Sequence, residues 1–260
     1  MGRCLVQALI DSPQFGRERI FFTTLHPETS QRAEEELGIR SCPNNLALVK
    51  KCKVLLLAVK PQNTGDVLDE IGKGLTPDHT LISIVASIST ASMAARLKKK
   101  VRIVRAMPNT PSFVREGIAA LSLGKDAGEK DWDRAESIFS PVGKIVRVDE
   151  KYLDAVTGLS GCGPAYVYVI LESLTEAGIK VGLPRELATQ LAAQTTMGAS
   201  KMLMETGRHP AALKDEVTTP AGCTIDGLLE LEEGKLRVTL IKAVVQATKR
   251  AKILAKQAKI

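Results

Sequence analysis

The sequence predicts a doubly wound α/β domain followed by an all-helical domain. Three observations carry that expectation. Short apolar runs recur through the first half, strand-like and helix-like stretches alternate there, and strand signals vanish after about residue 150.

The clearest strand is Val54-Leu55-Leu56-Leu57-Ala58-Val59, a near-continuous apolar run stopped by Lys60-Pro61. A strand buried on both faces of a parallel sheet needs such a run. Leu81-Ile82-Ser83-Ile84-Val85 repeats the pattern, and Arg102 to Met107 follows it, ending at Pro108. Segments at Ile118–Leu121 and Lys144–Val148 complete the series, and Ile20–Thr24 supplies a short strand near the start. Between them, residues 2–10 place Leu5, Ala8 and Leu9 at helical spacing before Asp11-Ser12-Pro13, and Ser30–Leu37 reads as a polar helix closed by Gly38. A dinucleotide fold opens with a strand, a glycine-rich turn and a helix, in that order. This sequence opens at the helix, so the first strand and turn of that pattern are not in it.

Beyond Asp149 the pattern is helical. Val167–Ala177, Arg185–Glu205, Ile225–Leu231 and Leu236–Ala255 carry Ala, Leu and Met on helical repeats, with Gly-Leu-Pro at 182–184 and Gly-Arg-His-Pro at 207–210 as punctuation. The expected domains are residues 1–149 and 150–260, joined without a long linker.

Composition narrows the function. The chain has 260 residues, 44% hydrophobic and 25% charged, which is ordinary for a globular protein. No window approaches the ~18 continuous apolar residues of a membrane span, and the first residues show no secretory signal. The expected compartment is the cytoplasm, with the mitochondrion as the alternative. The five cysteines (Cys4, Cys42, Cys52, Cys162, Cys223) are dispersed and lack CxxC spacing, which argues against a disulfide framework or a zinc site. The charge of +7 gathers in Lys98-Lys99-Lys100 and in the tail from Lys249 to Lys259, with no interleaved aromatics to stack on bases. Nucleic acid is therefore not an expected partner, and neither is a membrane.

In open α/β sheets ligands bind outside the carboxyl ends of the strands. Those ends are Ala58-Val59-Lys60-Pro61, Val85-Ala86-Ser87 and Met107-Pro108-Asn109-Thr110-Pro111. Asn109, bracketed by prolines, offers both a donor and an acceptor. The strand ending at Thr23-Thr24 carries no acidic residue to bond a ribose 2′-hydroxyl, and its hydroxyls can bond a 2′-phosphate. That leans towards NADPH over NADH. In the helical half, Thr157 to Pro164 packs three glycines in front of a helix, either for a close helix contact or for a substrate-facing turn. Thr218-Thr219-Pro220-Ala221-Gly222-Cys223-Thr224-Ile225 places small hydroxyl residues where a helix begins, and free N–H groups there bind carboxylates or phosphates. Simple capping by Thr219 or Thr224 accounts for one threonine but not the whole run. His26, His79 and His209 lack metal-ligand spacing, Gly72 to Thr76 lacks the spacing of a phosphate loop, and no Ser-His-Asp or Cys-His set is evident.

These segments together resemble the pyrroline-5-carboxylate reductases. The resemblance runs through Ala58 to Gln62, Met107 to Pro111, Asp154 to Ala165 and Pro210 to Leu228, in order and spacing, and spans essentially the whole chain. The last run matches the family signature at Leu213, Val217, Thr219-Pro220, Gly222 and Thr224. Cys162, Cys223 and Ala221 depart from the smaller residues usual there, and Met1-Gly2 aligns with the end of the family's glycine-rich turn. The resemblance implies a Rossmann-like domain, a helical dimerisation domain, and homodimers that assemble into larger rings. The implied reaction is hydride transfer from NADPH or NADH to 1-pyrroline-5-carboxylate, giving L-proline. The implied cofactor contacts are Thr23, Thr24, Asn45, Ala58, Val59, Lys60, Pro61, Ile84, Val85 and Ala86. Gly222, Cys223 and Thr224 would hold the substrate carboxylate together with Thr219, with the Thr224 hydroxyl near the ring nitrogen and Asn109 beside the nicotinamide. Two alternatives stay open: a related imine or β-hydroxyacid oxidoreductase, for which Lys180 is the one tempting base, and an inactive oligomer subunit.

Overall fold

The computed structural model describes residues 1–258, which divide into two compact units. The first holds Met1–Cys162 together with the chain from Gln246 onward, and the second holds Gly163–Val245.

The first unit runs α1 (Gly2–Asp11), β1 (Phe21–Phe22), α2 (Pro27–Leu37), β2 (Arg40–Ser41), α3 (Asn45–Lys51), β3 (Val54–Leu57), α4 (Thr64–Gly72), β4 (Thr80–Ser83), α5 (Thr90–Leu97), β5 (Arg102–Met107), β6 (Gly117–Leu123), α6 (Glu129–Phe139), β7 (Gly143–Arg147) and α7 (Leu153–Val156). Local chemistry sets several boundaries. Pro27 occupies the first turn of α2, where its missing N–H costs nothing, so that helix starts ahead of the expected Ser30. Gly38 closes it in the left-handed region, at φ 64°. Asn44 caps α3 by accepting from the Ala47 N–H at 2.8 Å, and Ser89 caps α5 through Ser92 at 3.0 Å.

The strands form a five-stranded sheet in the order β3-β4-β5-β6-β7 and a separate parallel pair, β1-β2. β3, β4 and β5 are parallel, as the apolar runs predict. β6 runs antiparallel to β5, opposing Val104 to Leu123 and Met107 to Ala120, so the doubly wound sheet is mixed at this strand. The reason is connection length. A parallel neighbour requires a crossover of a dozen or more residues, whereas β5 reaches β6 through the short 3₁₀ turn Thr110–Val114.

Helices cover both faces. Leu5, Ala8 and Leu9 of α1 pack with Ile82, Val104, Leu121 and Phe139 on one side. Val49, Leu68, Ile71, Met93 and Leu97 pack with Leu55, Leu57, Leu81 and Ile103 on the other. Alternate residues of β4 and β5 feed the two cores, which is why those strands read as unbroken apolar runs. A third cluster joins Val6 and Ile10 of α1 to Ile20, Phe22, Leu37 and Ile39, so α1 contacts both the strand pair and the five-stranded sheet.

The compact first unit continues past Asp149, beyond the division expected from the sequence. Leu153 is fully buried, and buried Arg105 of β5 pairs with Glu150 at 3.3 Å and Asp154 at 3.7 Å. Thr90 holds the same Glu150 through its N–H (2.8 Å) and hydroxyl (2.5 Å). These contacts fasten α7 and the π-helical turn Thr157–Gly161 to the sheet. At the other end, Ala258 packs on the core of α3, α4 and α5.

The second unit contains α8 (Gly163–Lys180), α9 (Arg185–Thr206), α10 (Pro210–Val217), α11 (Cys223–Glu233) and most of α12 (Leu236–Gln257). α8 and α9 approach closely, and a Cβ on Gly178 would lie 2.7 Å from that of Ala188. Among the described residues of this unit, only Thr175, Ala188 and Ala192 are buried.

One buried polar knot in the first unit is directly testable. Asp131 is 2% exposed and accepts from the Thr80 hydroxyl at 2.5 Å and the Gly128 N–H at 3.0 Å, with Arg102 and Arg134 each 3.5 Å away. Asp131→Ala strands all of these partners and is expected to destabilise the unit by about 3 kcal/mol in urea denaturation. Loss below about 1 kcal/mol would show that water replaces the carboxylate.

Candidate active site

Because β3, β4 and β5 are parallel, their carboxyl ends share one edge of the sheet, and Ala58 to Pro61 and Ile84 to Ala86 of the expected cofactor residues follow those ends. β3 ends at Leu57, so Ala58, Val59, Lys60 and Pro61 form the turn into α4 rather than the strand's last residues. β4 ends at Ser83. Ile84 stays tied to β3 by donating its N–H to the Leu57 carbonyl at 3.1 Å, and Val85 is buried beneath the half-buried Ala86. The chain then turns at Ser87, in the left-handed region at φ 65°.

The start of α1 meets the same edge. A Cβ on Gly2 would lie 2.9 Å from the Ala58 side chain, so the helix begins in close contact with the turn after β3. A side chain at position 2 would close this approach.

Thr23 and Thr24 follow β1, and Asn45 opens α3. Thr23 donates its hydroxyl proton to Asn45 Oδ1 at 2.6 Å. Asn45 in turn gives its side-chain amide to Glu70 Oε2 (2.7 Å) and its backbone N–H to Glu70 Oε1 (3.1 Å). Thr24 donates to the His26 carbonyl at 2.8 Å and lies 2.7 Å from the Ser30 hydroxyl. Ser30 and Glu70 were not singled out from the sequence. No local pattern marks Glu70, which is one acid on an amphipathic helix and reaches Asn45 only through the fold.

Asn109 lies just past β5, half-buried. Its Oδ1 accepts from the Ile118 N–H of β6 at 3.0 Å, which fixes the side chain and leaves the amide hydrogens as its available donors. Gly161 ends the π-helical turn, and a Cβ there would meet the Met107 side chain at 2.8 Å. The close-contact reading of the glycine-rich segment therefore holds at Gly161.

In the second unit, α11 begins at Cys223 with Gly222 as its N-cap and no side-chain cap, so neither Thr219 nor Thr224 caps the helix. Gly222 donates its N–H to the Thr219 carbonyl at 3.0 Å, and Ile225 donates to the Gly222 carbonyl at 3.3 Å. The Gly222 amide is thereby spent inside the turn. The first-turn N–H groups left to face a ligand are those of Cys223 and Thr224, beside the half-buried Thr224 hydroxyl. Thr219 is exposed, and its hydroxyl oxygen packs where a Gly222 side chain would be. Lys180 is exposed at the last turn of α8.

Among the described residues no group of three or more His, Cys, Asp or Glu side chains could hold a metal ion. Burial pushes the thiols of Cys4 and Cys52 up, away from the nucleophilic thiolate. A cleft of about 280 Å³ by Ala8, Asp11, Pro13 and Arg115 lies at the far end of α1 from Gly2 and shares none of these residues. Among the described residues no helix is long and apolar enough to cross a membrane.

A doubly wound domain with small residues at its strand ends, followed by helices, is a fold of nucleotide-dependent oxidoreductases. Comparison with known proteins agrees. Residues 1–87 match the family described as NADP oxidoreductase, coenzyme F420-dependent, and residues 150–254 match pyrroline-5-carboxylate reductase dimerisation. The chain belongs to the pyrroline-5-carboxylate reductase family. It is 42% identical over 233 residues to the pyrroline-5-carboxylate reductase of Glycine max, covering 89% of this chain and 85% of that protein. Against the Methanosarcina acetivorans enzyme it is 39% identical over 257 residues, covering 99% and 95%. Among solved structures, the Plasmodium falciparum pyrroline carboxylate reductase with NADP bound superposes with TM-score 0.88 at 32% identity, over 98% of this chain and 94% of that one. The Coxiella burnetii pyrroline-5-carboxylate reductase gives 0.89 at 35%, over 97% and 94%.

The turn before α11 carries a measurable strain. Ala221 sits at φ 55°, a region that L-residues enter at a cost of about 1–2 kcal/mol and glycine enters freely. Glycine gives back about 0.5–1 kcal/mol in unfolded-chain entropy. Ala221→Gly is thus expected to raise thermal stability slightly, by about 0.5 kcal/mol, and Ala221→Val to lower it. Calorimetry of the two variants distinguishes them, and a stability loss in Ala221→Gly would mean the turn is unstrained.

Proposed function

We propose that this chain reduces 1-pyrroline-5-carboxylate to L-proline with NADPH or NADH, the last step of proline synthesis. The observation that carries the reading is the start of α11, where the Cys223 and Thr224 amides stand open beside the Thr224 hydroxyl, with Asp226 in the same first turn. A small cyclic imine carrying a carboxylate needs that set. The carboxylate accepts from the two amides at the positive end of the helix dipole, and the Thr224 hydroxyl bonds the ring nitrogen.

The residues at the strand ends fit a dinucleotide. The Gly2–Ala58 approach leaves room for backbone amides to near a pyrophosphate, and the Thr23, Thr24 and Asn45 cluster is placed to read a ribose. Ala58 to Pro61 and Ile84 to Ala86 would flank the cofactor, with Asn109 bordering the nicotinamide. When bound, the cofactor supplies the hydride. The protein's own work is orientation: an imine is already electrophilic, so holding the reacting carbons about 3–3.5 Å apart supplies much of the acceleration.

The same reading includes a homodimer, which assembles into a larger ring. Tyr168, Val169, Met197, Met204, Leu229 and Ile241 are exposed apolar residues of a unit with almost nothing buried, and a second copy is the natural cover. We also infer the cytoplasm as the compartment. All five cysteines are free, as a reducing environment requires.

The direct test titrates the purified chain with NADPH by nicotinamide fluorescence and then adds pyrroline-5-carboxylate. Saturable binding followed by cofactor oxidation and proline formation is expected, and a folded chain that binds no nucleotide would be an inactive subunit instead. Thr224→Val, which keeps the backbone amides and removes the hydroxyl, should lower kcat roughly 10- to 100-fold while leaving the dissociation constant for NADPH unchanged.

A further inference from the structure

We propose that Glu70 tunes the choice between NADH and NADPH, holding down affinity for a 2′-phosphate relative to a 2′-hydroxyl through its hold on Asn45. This rests on the nucleotide site proposed above and concerns a residue outside the strand ends. In dinucleotide folds the group that reads the ribose sits about 20 residues past the glycine-rich turn, at the end of the next strand. Here that place is Thr23-Thr24, which holds no acid. A carboxylate reaches the same place from α4. Glu70 accepts from the Asn45 side-chain amide at 2.7 Å and from its backbone N–H at 3.1 Å, so both carboxylate oxygens are engaged and their position is set.

This arrangement fixes which protons the ribose site can offer. The Thr23 proton is committed to Asn45 Oδ1 and the Thr24 proton to the His26 carbonyl. With its own proton so placed, Thr24 accepts from Ser30. The two threonines therefore present lone pairs, which accept from a ribose hydroxyl but offer nothing to a phosphate oxygen. Among the described residues no Lys or Arg hydrogen-bonds or ion-pairs with Thr23, Thr24, Ser30, Asn45 or Glu70. Near this strand Lys51 holds its ammonium over the Phe21 ring, 3.9 Å from its centre. Lys51 attracts a 2′-phosphate and Glu70 repels it, and the opposition lets both cofactors bind. The hydroxyls of Thr23 and Thr24 taken alone point to NADPH. Glu70, one amide away, narrows that preference.

Glu70→Gln removes the charge and keeps the shape, whereas Glu70→Asp keeps the charge and shortens the reach. Dissociation constants for NADH and NADPH are measured by fluorescence titration, and those for 5′-AMP and 2′,5′-ADP by calorimetry, on the full chain, with folding followed by circular dichroism. The expected result is a shift of the NADH-to-NADPH affinity ratio towards NADPH by about tenfold in Glu70→Gln, shrinking at high salt, and by less than about twofold in Glu70→Asp. The adenosine probes should shift in parallel. Should Glu70→Gln fail to fold, Glu70→Ala is expected to move the ratio the same way, even with both affinities reduced. An unchanged ratio in a folded charge-removing variant, or equal weakening of both cofactors by every variant, would make Glu70 a scaffold residue and overturn the inference. A wild-type chain that binds neither nucleotide overturns the proposed function itself, and this inference with it.

Discussion

The first unit depends on the packing of α1. Its strands form two sheets that share no ladder, β1-β2 and β3 to β7, and α1 contacts both. Leu5, Ala8 and Leu9 face the larger sheet, while Val6 and Ile10 face the strand pair. A helix that contacts two surfaces must be apolar over a broad arc, and α1 is, with Cys4, Leu5, Ala8, Leu9 and Ile10 all buried. The nucleotide end follows from the same packing. Gly2 lies against Ala58 because the helix is held down along its length, and the small pair at the tip is what lets it approach. Thr23 and Asn45 come from the two sides that α1 joins, β1 and the approach to β3. A change that loosened α1 would therefore disturb the Thr23–Asn45 hydrogen bond and the Gly2–Ala58 approach together.

The second unit obeys a different constraint. Among the described residues of Gly163–Val245 only Thr175, Ala188 and Ala192 are buried, too few to recover the entropy of ordering from their own contacts. Its pattern is nonetheless strongly apolar, with Met197, Met204, Leu229 and Ile241 exposed. Such a unit has a core only when a partner supplies the other half, which is the condition an obligate homodimer satisfies.

Legibility in the sequence followed the range of the interactions involved. β3, β4 and β5 were readable because burial on both faces writes itself as continuous apolar residues, and α9 and α12 because their repeats run for many turns. The direction of β6 was not, since an apolar run carries no sign of whether its neighbour is parallel. The pairing of Arg105 with Glu150 and Asp154 across the fold was not legible either, because nothing near Asp149 announces it. At α11 the threonines suggested a cap, yet Gly222 occupies that position. The run of small residues was legible as a helix start, but the commitment of the Gly222 amide to Thr219 depends on a turn geometry set partly by the left-handed Ala221. The expected strand ends were right to within a few residues, whereas Ser30 and Glu70 came only from the fold.

The scarcity of titratable groups at these positions is itself informative about the chemistry. An enzyme that must remove a proton from carbon or activate water needs a base with a tuned pKa, and such groups are recognisable by burial and charged neighbours. The start of α11 offers hydroxyls and helix-end N–H groups instead, and in the first unit Asp131 and Glu150 are engaged by Thr80, Thr90, Arg102 and Arg105. Dipoles of this kind recognise shape and fixed charge and do not change protonation near neutrality. A substrate that arrives electrophilic and carrying its own carboxylate is the kind such a set can process, because it asks of the protein only position. A β-hydroxy acid would require a base to take its hydroxyl proton, and the tempting candidate, Lys180, stands exposed at the end of α8. The hydroxyls and helix-end amides at α11 therefore suit the imine of the proposed reaction better than an alcohol.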